Sequence, residues 1–196
     1  MNTSYQNLPH KLLAPGTSIP LSHDPEEASV SFEDDAAMVY TDFTHTRPFA
    51  IGPTARIAQI NDKMIACGVR LLFVAEADGV IKGLVTYTDL FGDKPVRYMR
   101  EHGGSRDEIL AQDIMTPLAQ LEALTRADVR RASVGDIVET IRLAGRQHML
   151  VGDGDADGAP VITGLFSSTH IEKLTGCKIE LSTRAHTFAD LEQALA

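Results

Sequence analysis

Cysteine is scarce in this 196-residue sequence, tryptophan is absent, and long apolar runs are missing. No apolar stretch approaches the roughly 20 residues that span a bilayer. The first 18 residues are polar, with one lysine, and lack the apolar core of a signal peptide. Two isolated thiols, Cys67 and Cys177, fit a reducing compartment, and no Cys/His spacing resembles a zinc site. We therefore expect a cytoplasmic protein without a membrane partner.

Basic residues are also fewer than acidic ones. The chain has 18 Lys and Arg against 27 Asp and Glu, which gives a formal net charge of −9. Broad binding to a nucleic-acid backbone needs a basic surface, so we expect no nucleic-acid partner. An acidic chain can still hold a small phosphorylated ligand in a local basic pocket. Hydrophobic residues make up 43% of the chain, enough for one large domain or two small ones.

Recognisable catalytic motifs are missing too. The sequence has no nucleophile elbow, no P-loop and no metal-ligand cluster, and its seven histidines are scattered. The segment 153–158 resembles the opening of an EF-hand loop, but Gly164 stands where the bidentate glutamate should be. We interpret it as a solvated hairpin loop. The prediction is a protein that is not an enzyme, binds no metal and requires no cofactor.

What the chain does contain is one unit twice. Gly68–Val74 leads through a turn to Gly83–Leu90, and Gly145–Val151 leads through a longer turn to Gly164–Ile171. The offset is 77 residues before the turn and 81 after it, so the second loop carries four extra residues. A repeat of this kind predicts two similar supersecondary units whose function lies where they meet.

Each copy shows the pattern strand, helix, strand, strand, helix. Apolar residues at helical spacing predict helices ending at Gly68 and Gly145, and each helix is followed by a hairpin. A short strand is expected at 37–43. The predicted organisation is an N-terminal flexible or loosely docked arm at 1–36, a first unit at 37–92, a connecting segment at 93–112, a second unit at 113–176 and a tail at 177–196.

Two motifs carry a family resemblance. The run Gly-h-x-Thr-x-x-Asp-h at 83–90, preceded by its hairpin, and the entry Asp-Ile-Met-Thr-Pro at 113–117 resemble the cystathionine-β-synthase (CBS) domain. Because the unit occurs twice, residues 38–176 are similar to a tandem CBS pair, or Bateman module. The resemblance implies an α/β (α+β) fold: two β-α-β-β-α units about a pseudo-twofold axis, sheets packed together, helices outside and two clefts between the units.

The resemblance also implies a ligand. Such clefts commonly bind AMP, ADP, ATP or S-adenosylmethionine, and the family's hydroxyl and acid that hold the ribose correspond here to Thr86 and Asp89. A carboxylate suits this role, because a vicinal diol presents two O–H donors. The same Thr-x-x-Asp spacing also matches a helix capping box, which needs no ligand, and the two interpretations are compatible.

Other ligand contacts are expected near these two residues. Arg70 is a candidate phosphate partner, although a surface ion pair explains it equally well. The residues expected to contact the adenine or phosphate are Val69, Arg70, Leu71, Ile114, Thr116 and Pro117.

The second copy departs from the pattern, since Ser167 keeps the hydroxyl but His170 replaces the acid. A neutral imidazole accepts one hydrogen bond at most, so we expect a degenerate cleft with weaker diol recognition. A protonated His170 could instead meet a phosphate, or it could be an exposed residue without a role. This cleft is expected to contain Gln147, His148, Ser167 and His170.

The expected function is a stand-alone regulatory protein that senses an adenosine nucleotide. CBS pairs are regulatory and often dimerise, so the resemblance implies a homodimer and an effector protein that the sequence does not name. Two alternatives stay open: a structural dimerisation module with empty clefts, and an accessory subunit of an enzyme.

Overall fold

The computed structural model describes residues 14–15, 30–154 and 160–181. Two sheets of four short strands form the centre of the described chain. The strands are β1 (Thr41–Asp42), β2 (Ala50–Ile51), β3 (Leu71–Ala75), β4 (Ile81–Thr86), β5 (Thr116–Pro117), β6 (Ala123–Thr125), β7 (His148–Gly154) and β8 (Pro160–Ser167). The α-helices are α1 (Ile57–Cys67), α2 (Tyr87–Phe91), α3 (Lys94–His102), α4 (Ala111–Ile114), α5 (Arg126–Val129), α6 (Val134–Ala144) and α7 (Ser168–Thr175).

The first unit follows the order β2-α1-β3-β4-α2, and the second follows β6-α6-β7-β8-α7. Helix α1 turns Ile57, Ile60 and Met64 into the core, and it ends at Gly68, whose φ of 65° is left-handed. Helix α6 ends in the same way at Gly145. In each unit the first strand runs parallel to the second, and the hairpin strands are antiparallel. The predicted β-α-β-β-α fold is therefore confirmed.

Each sheet gains its fourth strand from the chain segment that precedes the other unit. Strand β1 lies before the first unit yet pairs with β8 of the second, and β5 lies before the second unit yet pairs with β4 of the first. This reciprocal exchange is the arrangement that a twofold relation between the units produces. The segments that the sequence assigned to the following unit thus extend the sheet of its neighbour.

The two sheets pack against each other, with the helices outside. Along β3, alternate side chains face opposite ways: Leu72 and Val74 belong to the core beneath α1, whereas Leu71 and Phe73 face the second unit. The core between the sheets consists of Leu71, Phe73, Leu84 and Leu150, packed against Phe43, Ile81, Leu121, Ile162 and Leu165. Side chains from both units thus share one apolar interface, which places the clefts at its two ends.

The segment before the first unit differs from the predicted strand at 37–43. Only Thr41 and Asp42 form a strand, and a 3-10 helix occupies Ala36–Val39 because the Asp35 side chain accepts a hydrogen bond from the Ala37 amide. Val30 is buried in the core of the second unit. Most of the arm predicted at 1–36, and residues 182–196 of the predicted tail, lie outside the described residues; the limits of the predicted domains remain predictions.

Candidate functional site

Two clefts open where the units meet. The first, here called the Asp89 cleft, has a volume of about 250 Å³. Its lining combines α2 and β5 of the first unit's sheet with β7 of the second unit. The residues are Leu84, Thr86, Thr88, Asp89, Thr116, Leu121, Glu122, Gly145, Arg146, Gln147, His148, Leu150 and Leu181.

The second cleft is larger, at about 420 Å³, and is here called the cationic cleft. It lies between the start of the first hairpin and the start of α7. Its lining consists of Thr41, Phe43, Thr46, Arg47, Pro48, Phe49, Gly68, Val69, Arg70, Leu71, Phe73, Gln147, His148, Leu165, Ser167, Thr169, His170 and Lys173.

The structure groups the expected ligand residues differently from the sequence prediction. Thr86, Asp89 and Thr116 share the Asp89 cleft, but Arg70 lies in the cationic cleft together with Ser167 and His170. The members of the expected sets that join Arg70 there are Val69, Leu71, Gln147 and His148, of which the last two line both clefts.

Two other expected residues line neither cleft. Ile114 is buried in the core of the first unit, and Pro117 pairs with Gly83 in the sheet. The cause of the regrouping is the twofold arrangement, because each cleft takes the hairpin start of one unit and the last helix of the other.

The carboxylate of Asp89 is engaged on both oxygens. Its Oδ2 accepts the Thr86 amide at 2.7 Å and the Thr86 hydroxyl at 2.8 Å, and its Oδ1 lies 2.7 Å from the Lys94 ammonium. The capping box that the sequence allowed is therefore present, with Thr86 as the N-cap of α2. The Asp89 side chain is 11% exposed. Any diol entering this cleft meets a carboxylate that already has partners.

The cationic cleft has the opposite character. Arg47, Arg70 and Lys173 line it, and its lining includes neither Asp nor Glu. All three cations are exposed and have no carboxylate within 4.0 Å in the described chain. The guanidinium of Arg70 lies 5.8 Å from the Tyr87 ring centre. Together the three charges make a local positive field on an acidic protein, which suits an anionic ligand.

The helix starts at the two clefts also differ. Thr86 caps α2 through its side chain, whereas Ser167, the N-cap of α7, makes no side-chain capping bond. Ser167 and Thr169 both line the cationic cleft. The helix dipole at such a start favours an anion. The apolar walls of this cleft come from Phe43, Phe49, Phe73, Leu71 and Leu165.

His148 lies between the two clefts. Its Nδ1 is buried and has no hydrogen-bond partner among the described residues. Burial lowers the pKa of His148 to about 4, and the nearby Asp89 carboxylate opposes this shift only in part. The imidazole is therefore neutral in the folded protein at neutral pH.

This pKa predicts acid sensitivity. As the pH falls from about 6.5 to about 4, His148 gains a proton in the unfolded chain but not in the folded one, so stability should fall by roughly 2–3 kcal/mol. This loss of stability is complete at pH values below the pKa of His148 in the folded protein, and it is absent at pH values above the pKa in the unfolded chain. Urea unfolding across this pH range should show the loss in the wild type and a flatter profile in His148→Leu. Equal slopes for both proteins would contradict the assignment.

The predicted set of ligand contacts did not include Arg47, Lys173 or Lys94. Lys173 lies three residues beyond His170, and so on the same face of α7, which was a usable signal. Arg47 reaches its cleft through the crossing of β1, and Lys94 contacts Asp89 through the turn before α3. Neither position has a sequence pattern.

The described residues hold no group of three His, Cys, Asp or Glu suited to a metal ion. Among them, too, no helix has the length and apolarity of a membrane span.

Comparison with known proteins gives structural matches only. No protein-family model and no curated protein matches the sequence. An uncharacterized conserved protein from Pyrococcus horikoshii has a TM-score of 0.51 at 17% identity, covering 78% of this chain and 99% of that one. A CBS-domain containing protein from Agrobacterium tumefaciens has a TM-score of 0.49 at 19% identity, covering 69% and 93%. CBSX2 in complex with AMP has a TM-score of 0.46 at 15% identity, covering 70% and 93%.

The likeness concerns the fold. The structure has two β-α-β-β-α units whose sheets share an apolar interface, with the helices outside. This is the architecture that the resemblance to a tandem CBS pair implied.

Proposed function

We propose that the protein is a regulatory module that binds an adenosine nucleotide in the cationic cleft. The observation that carries this proposal is a cleft whose three cations have no carboxylate partner among the described residues, and whose described lining contains no carboxylate and has aromatic and aliphatic walls. Phosphate groups are the natural partners of Arg and Lys, and Arg can bind them bidentately. An adenine ring buries its faces against apolar side chains. One ligand class, a nucleotide, satisfies both halves of the cleft.

The cationic half and the apolar half of this cleft are formed by different residues. Arg70 begins the first hairpin, and Lys173 and His170 lie on the first turns of α7, so a phosphate between them would link the two units. The hydroxyls of Ser167 and Thr169 can donate to phosphate oxygens from the same helix start. Phe43 and Phe73, whose ring centres are 5.8 Å apart, provide the apolar wall. The expected ligands are AMP, ADP and ATP, while S-adenosylmethionine fits less well because it carries a positive sulfonium.

Because the cleft takes residues from both units, an occupied site favours the state in which the units are closely packed. This is a population shift, and its size equals the difference in ligand affinity between the two states. In this proposal the protein regulates rather than catalyses. Its output passes to a second copy of the chain or to an effector protein.

Calorimetric titration tests the proposal. Adenosine, AMP, ADP, ATP and S-adenosylmethionine are added to the full chain at low and moderate salt. We expect the nucleotides to bind, adenosine to bind at least about tenfold more weakly, and the affinity of ATP to fall as salt rises. Binding of adenosine as tight as that of AMP would contradict phosphate recognition. The absence of any binding would favour a structural dimerisation module or an accessory subunit.

A further inference from the structure

The ammonium of Lys94 forms an ion pair with the carboxylate of Asp89, the residue that the sequence pattern assigns to the ribose. Lys94 is the first residue of α3, in the segment that connects the two units, and its side chain is 27% exposed. Its ammonium lies 2.7 Å from Asp89 Oδ1 and donates to the Ile114 carbonyl at 2.9 Å and to the Thr116 hydroxyl at 3.3 Å. These three contacts match the three protons of an ammonium group.

Lys94 does not line the Asp89 cleft, so it approaches the carboxylate from the side of α3. A carboxylate has about four lone-pair sites. Lys94 takes one of them, and the amide and hydroxyl of Thr86 take two more. A vicinal diol needs two acceptor sites for its two hydroxyls, and about one is left. A diol at this carboxylate must therefore displace one of these three bonds, and of the three only the contact with Lys94 joins two full charges.

The hydroxyl of Thr86 is used in the same network. It donates to Asp89 Oδ2 and accepts the Asp89 amide at 3.3 Å. Thr86 and Asp89, the two residues that the motif assigns to the ribose, thus bind each other, and Lys94 binds the other carboxylate oxygen of Asp89. The second copy has no such arrangement, because Ser167 makes no capping bond with its side chain and His170 stands in place of the acid.

We propose that Lys94 is a specificity-determining residue that keeps the Asp89 cleft from binding a ribose diol and so limits each chain to one nucleotide, held in the cationic cleft. The part of this inference that concerns the cationic cleft rests on the proposed function. The part that concerns Lys94 rests on the contacts of Asp89 alone. Nucleotide binding by the wild type should consequently depend little on the ribose 2′-hydroxyl, because the described lining of the cationic cleft has no carboxylate to accept a hydrogen bond from it.

The test replaces the ammonium with an uncharged side chain of similar length. Wild type and Lys94→Met are titrated with AMP and with 2′-deoxy-AMP in parallel calorimetric experiments. We expect one site in the wild type, with affinities for the two ligands within about twofold. Lys94→Met should bind two AMP molecules, and its additional site should bind 2′-deoxy-AMP at least about fivefold more weakly. The double variant Lys94→Met/Asp89→Asn should return to one site.

Two controls keep the result interpretable. Thermal unfolding shows whether Lys94→Met is folded. If it is not, Lys94→Gln, which is also uncharged, takes its place in the titrations. Two sites in the wild type, or one site in both proteins, overturn the inference. A loss of binding in Lys94→Met also overturns it, since Lys94 would then position Asp89 for the ligand.

Nucleotide binding by the wild type and by Lys94→Met tests the two clefts separately. If the wild type binds no nucleotide but Lys94→Met binds one AMP in a manner that requires Asp89, the cationic cleft is not the nucleotide site and the inference about Lys94 stands. If neither protein binds AMP, both proposals are contradicted.

Discussion

Gly164→Ala should destabilise the protein by about 2–4 kcal/mol, and Gly83→Ala should have an effect of similar size. A Cβ atom at Gly164 would approach the Thr41 carbonyl and the Tyr40 ring far more closely than the 3.0 Å that real Cβ atoms respect. At Gly83 the obstacle is the Thr116 carbonyl. Backbone atoms cannot move aside without breaking the pairing of β1 with β8 or of β5 with β4. Urea unfolding monitored by circular dichroism measures the loss.

Gly52→Ala is the matched control. No atom lies within 4 Å of a Cβ built at Gly52, and its φ is not in the left-handed region, so the expected change is within about 0.5 kcal/mol. A loss of stability in Gly83→Ala and Gly164→Ala but not in Gly52→Ala would therefore come from the reciprocal strand exchange and not from the general effect of replacing a glycine. If Gly164→Ala and Gly83→Ala both unfold at the wild-type urea concentration, the crossing strands do not contact the sheets as described.

Arg70→Gln should weaken nucleotide binding by roughly tenfold to a hundredfold, the value of one charge-assisted contact to phosphate. Glutamine is the residue at the corresponding position of the second copy, Gln147. The effect on stability should be small, because Arg70 is exposed and its guanidinium lies as far as 5.8 Å from the centre of the Tyr87 ring. Calorimetric titration with ADP measures the affinity, and thermal unfolding measures the stability.

The control for charge alone is Arg100→Gln, which removes one exposed cation of α3 that lines neither cleft. Its ADP affinity should stay within about twofold of the wild type. If Arg70→Gln and Arg100→Gln weaken binding equally, the ligand responds to net charge and not to the cationic cleft. If Arg70→Gln binds ADP like the wild type, Arg70 is not a phosphate contact.

Much of the fold was predictable from the sequence because the repeated pattern is local. The strand Leu71–Ala75 and the helix ends at Gly68 and Gly145 follow from apolar runs and from glycines that adopt a left-handed φ. The strand exchange was not predictable, since β1 and β5 have two residues each and no periodicity of their own. Their positions depend on pairing partners more than a hundred residues away for β1, and about 33 residues away for β5.

In the candidate site, too, the features set by local sequence were predictable and those set by distant contacts were not. Thr86 and Asp89 do form the local pair that their spacing indicated, because a capping box needs only one helix turn. The partners of each cleft come from different units, so the placement of Arg70 beside Ser167 and His170 required the tertiary structure. The contact between Lys94 and Asp89 depends on how α3 turns back over α4, which no spacing rule records. The ribose contact of Thr86 and Asp89 remains a prediction that Lys94→Met examines.

A crystal structure of the full chain with ADP would show directly whether the cationic cleft is the nucleotide site. We expect one nucleotide per chain, with phosphates near Arg47, Arg70 and Lys173, the adenine against the apolar wall, and the contact between Lys94 and Asp89 intact. An ADP molecule whose ribose binds Asp89, with the cationic cleft empty, would contradict it.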